Sequence, residues 1–126
     1  VDNDRFLFLA DNNLYNMTKI NEILPVISNV DLIAFSYNGF ASDFPFNYSM
    51  QNESKVAVVE ANEKIRFARQ TEALDVIRPS RILLYSSGFV PSGSNGQNWV
   101  DVHKRLWSSD VRKVAARYKE RCGVEV

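Results

Sequence analysis

Three short apolar runs constrain this chain more than anything else in its sequence: polar residues cut each one off, and stretches of helical period separate them. The first is Arg5-Phe6-Leu7-Phe8-Leu9-Ala10, stopped by Asp11-Asn12-Asn13. The second, Val30 to Tyr37, is nearly continuously apolar in its middle. The third, Arg81-Ile82-Leu83-Leu84-Tyr85, runs into Ser86-Ser87-Gly88-Phe89. Short aromatic and branched runs bounded by turn formers read as strands. A run without polar alternation suits a strand buried on both faces, as a parallel sheet requires.

The intervening stretches change period. Leu14, Met17, Ile20 and Leu24 recur at three- and four-residue spacing and build one apolar helix stripe. Asn12 or Asn13 is placed to cap it, and Pro25 to end or kink it. The longest helical pattern runs from about Glu53 to Ile77, with Val56, Val59, Ile65, Ala68, Ala73, Leu74 and Ile77 apolar, and Arg78-Pro79 ends it. A last helix, Trp99 to Arg121, offers Val100, Leu106, Val111, Val114, Ala115 and Tyr118 inward, with Gly123 just beyond as a stop.

The resulting order βαβαβα predicts an α/β fold, a mainly parallel sheet with flanking helices joined by right-handed crossovers. A sheet of three strands is thin. The expectation is therefore a single α/β domain over residues 1–126, or a fragment of a larger one, such as half of an αββα sandwich.

Composition removes more functions than it suggests. Fifteen basic and fifteen acidic side chains cancel, so no net field steers the chain toward nucleic acid. No apolar run approaches the ~20 residues of a membrane span. One cysteine, Cys122, and one histidine, His103, leave no internal disulfide and no Cys/His zinc site. A lone thiol makes a reducing, cytoplasmic setting the expectation. There is no glycine-rich phosphate cradle after any strand.

Parallel strands would bring three polar ends to one rim: Asp11-Asn12-Asn13, Ser36-Tyr37-Asn38 and Ser86-Ser87-Gly88. Ligands of α/β proteins bind at that edge, although Asx and Ser also terminate strands and cap helices without any further role. A receiver-like phosphoacceptor at Asp11 would want a neighbouring acid and a later lysine, and neither stands in place. The loop Asn38 to Tyr48 is dense in aromatics (Phe40, Phe44, Phe46), and the last helix is basic through Arg112, Lys113, Arg117, Lys119 and Arg121. Both features suit a non-enzymatic domain that docks a protein partner through its 39–48 loop and basic C-terminal helix.

Taken in order, Phe8-Leu9-Ala10-Asp11-Asn12, then Ser36-Tyr37-Asn38-Gly39-Phe40-Ala41-Ser42-Asp43-Phe44-Pro45, then Leu84-Tyr85-Ser86-Ser87-Gly88-Phe89, the chain resembles the later half of metallo-β-lactamase-fold proteins. The branch it is most similar to is that of the sialic-acid hydroxylases. The resemblance covers about two-thirds of the chain. It implies a metal-dependent hydrolase, inactive as this chain alone, with Asp11 at the position of a metal-bridging aspartate. It also implies that Tyr37, Asn38, Ser42 and Ser87 lie on the substrate side. The family's histidine-rich motif belongs to its earlier half and has no counterpart here, and Ser87 stands where a late histidine ligand often does. Zinc or another divalent metal is thus expected only in a complete protein. The partner would be the remaining half of that protein or a second copy.

Overall fold

A computed structural model of the chain describes residues 4–9, 16–27, 29–37, 52–85 and 111–126. Three strands, β1 (Phe6–Leu9), β2 (Leu32–Ser36) and β3 (Arg81–Tyr85), form a sheet in the order β1-β2-β3. Both pairings are parallel, with Leu7 beside Ile33 beside Ile82, and Leu9 beside Phe35 beside Leu84. Three helices accompany them: α1 (Met17–Ile23), α2 (Asn52–Ile77) and α3 (Val111–Cys122). The expected α/β architecture with a parallel sheet is what the chain adopts.

Local chemistry sets the boundaries. Asn16, not Asn12 or Asn13, caps α1: its Oδ1 accepts from the Lys19 N–H at 3.3 Å, so the helix begins at Met17. Leu14 falls outside the described residues. Leu24 closes α1, in line with Pro25 behind it, and Ile20 carries most of its burial. Arg78, at φ 52°, turns the chain out of α2 in the left-handed region, its N–H bonded to the Leu74 carbonyl at 2.8 Å. Gly123, at φ 67°, ends α3 as expected, its N–H on the Lys119 carbonyl. The tail then returns to the sheet, where the Ile82 N–H donates to the Glu125 carbonyl at 2.8 Å.

The core lies on one face of the sheet. Ile33, Phe35 and Ile82 pack with Ile20 of α1, with Ala73, Leu74 and Ile77 of α2, and with Tyr118 of α3. Leu7, Leu9 and Leu84 join the same cluster, as their register demands. Two right-handed crossovers that step the same way along a sheet put both helices on one side, and α3 comes to that side too.

The opposite face is different. Phe6 and Phe8 are each 65% exposed and Leu83 is 51% exposed, while Ala34 between them is buried. The first run was expected to be a buried strand; as the edge strand of a one-sided sheet it buries only its alternate residues. Three further inward expectations fail on the helices. Ile65, Ala68 and Val111 are exposed: Ile65 and Ala68 lie off the stripe through Phe67, Gln70, Ala73, Leu74 and Ile77 that faces the core, and Val111 starts α3. Trp99, Val100 and Leu106, in the first part of the expected last helix, lie outside the described residues.

Among the described residues no helix is long and apolar enough to cross a membrane. α2 has the length, but charges run along it.

Candidate functional site

The carboxyl ends of the strands meet, and several side chains brace them. Leu9 stands beside Phe35, and Ser36 beside Tyr85, so the three chains leave the sheet as neighbours. Tyr85 lies across the exposed face: its hydroxyl donates to the Leu9 carbonyl of β1 at 3.0 Å and its ring stacks on Phe8 with centroids 5.2 Å apart. The reach from β3 over β2 to β1 is possible because the β2 residue on that face beside Phe8 is only Ala34. Tyr37 extends the pairing by one residue, giving its N–H to the Tyr85 carbonyl at 3.3 Å.

From the helical side Gln70 of α2, which is fully buried, donates through Nε2 to the Ser36 carbonyl at 3.2 Å. Its Oε1 accepts from the Tyr118 hydroxyl of α3. The Tyr118 ring meets Phe35 edge-on, centroids 5.5 Å apart, and lies 5.0 Å from Phe67, whose own face carries the Arg117 guanidinium at 4.4 Å. One amide thus ties the exit of β2 to both long helices. Since Gln70 is level with the end of β2, the preceding stretch of α2 (52–69) carries ~27 Å of helix past the strand end at 1.5 Å per residue. The rim therefore has a floor of three strand ends and a wall of helix.

Of the residues singled out from sequence, Tyr37 is buried at this rim. Asp11, Asn38, Ser42 and Ser87 lie outside the described residues, as does His103. Gln70 was missed. It falls three and four positions before Ala73 and Leu74, on the apolar stripe of α2, and a polar residue on a core-facing stripe is the signal that could have marked it.

A second cluster sits at the opposite, amino edge of the sheet, where α2 and α3 end. Arg121 and Asp75 form a two-pronged ion pair, with Nη2 to Oδ2 at 2.7 Å and Nη1 to Oδ1 at 3.3 Å. The Asp75 hydrogen bond and charge raise the Arg121 pKa further. Burial first, and the Asp75 charge second, push the neighbouring Cys122 thiol up, against the lowering effect of Arg121. That thiol lines a shallow cavity of about 350 Å³ with Leu74, Asp75, Arg78, Pro79 and Val124. A raised thiol is a weaker nucleophile at neutral pH.

Among the described residues no three His, Cys, Asp or Glu side chains gather as a metal-holding group. No protein-family model, curated protein or solved structure matches this chain.

Proposed function

We propose that this chain is the later half of a metallo-β-lactamase-like, metal-dependent hydrolase, and that it is inactive by itself. The observation that carries the reading is the convergence of three parallel strand ends at one braced rim. Asp11, Asn38 and Ser87 each follow the last residue of a strand by two positions. The one-sided sheet is a second support. Helices cover one face, and the other keeps Phe6, Phe8 and Leu83 open, which is the form of one half of an αββα sandwich.

The residues in hand do not fit a metal by themselves. The resemblance assigns this chain one donor, Asp11, and a catalytic zinc takes three protein ligands. The other donors, and the metal chemistry with them, belong to the missing half. What this chain contributes in the reading is a fixed rim: Tyr85 and Gln70 hold the strand exits, and Tyr37, Asn38, Ser42 and Ser87 shape the substrate side. A cytoplasmic location accompanies it, on the ground of the lone thiol.

Calorimetric titration of zinc into the 126-residue chain tests this. No stoichiometric submicromolar site is expected. Finding one would mean that the chain carries a complete donor set, and the half-protein reading would fall. So would an upstream reading frame without clustered histidines.

The open sheet face also favours a second reading, a non-enzymatic module that docks a protein partner. In that case the aromatic 39–48 loop, which lies outside the described residues, shares the contact with Phe6, Phe8 and Leu83. The basic helix is less available than its composition suggested, since Arg121 is committed to Asp75 and Arg117 to Phe67.

A further inference from the structure

We draw no further inference here: the strongest candidate, the open apolar face of the sheet around Phe6, Phe8 and Leu83, already supports the function proposed above, and nothing among the described residues shows what else covers it.

Discussion

Replacing Tyr118 by Phe tests the bracing of the rim most directly. The ring and its contacts with Phe35 and Phe67 would stay, and only the hydroxyl would go. Gln70 is fully buried, and its Oε1 takes a hydrogen bond from that hydroxyl. Leaving a buried acceptor without its donor costs ~1–3 kcal/mol. For 126 residues, an unfolding entropy of ~2.1 cal/mol/K per residue converts each kcal/mol into ~4 °C. Tyr118→Phe should therefore lower the melting temperature by ~4–11 °C. The companion variant Gln70→Met removes the acceptor as well as the donor to Ser36. The double variant should be more stable than the sum of the two single losses predicts, with a coupling of ~1 kcal/mol or more. Thermal unfolding followed by circular dichroism reads all four proteins. Additive losses, or a Tyr118→Phe melting temperature within a degree of the parent, would show that the amide is not held in the way described.

The two faces of the sheet should respond oppositely to truncation. Phe35→Ala removes a fully buried ring and should cost ~3–5 kcal/mol. Phe6→Ser should instead leave the urea midpoint nearly unchanged and reduce binding of a hydrophobic dye; a large loss of stability would mean that this face is covered. Arg78→Gly should be neutral or stabilise by up to ~1 kcal/mol, because glycine adopts the φ of 52° without a Cβ penalty; a clear loss in chemical denaturation would refute the strain argument. Cys122 has its pKa raised above the ordinary 9.0, so its neutral thiol favours the folded state at neutral pH. That contribution is complete below pH 9.0 and disappears as pH rises through the folded-state pKa. Stability should fall in that alkaline range for the parent more steeply than for Cys122→Ala; parallel pH profiles would dispose of the claim.

Much of the architecture was legible in the residue pattern. The strand cores, the long helix ending at Arg78-Pro79, and the glycine stop at Gly123 all rest on local rules: period, proline geometry and a left-handed cap. The first helix began later than its apolar stripe implied, since Asn13 and Asn16 have the same chemistry and only the backbone decides which one caps. For the site, strand ends rich in Asp, Asn and Ser pointed to a rim, and parallel pairing brought the exits together. The groups that brace it were not legible, because Tyr85 to Leu9 and Gln70 to Ser36 are contacts between residues distant in the chain.

By itself, the sequence determined that this protein would be built of alternating strands and helices, because hydrophobic period is a local property that survives in any context. It also determined that no Cys/His zinc site could form within these residues, since the donors are too few. Tertiary structure alone decided that the three described helices share one face and that Phe6, Phe8 and Leu83 are left on the other. An apolar strand residue has the same preference for burial on either side of a sheet, and only the path of the crossovers says which side receives the cover.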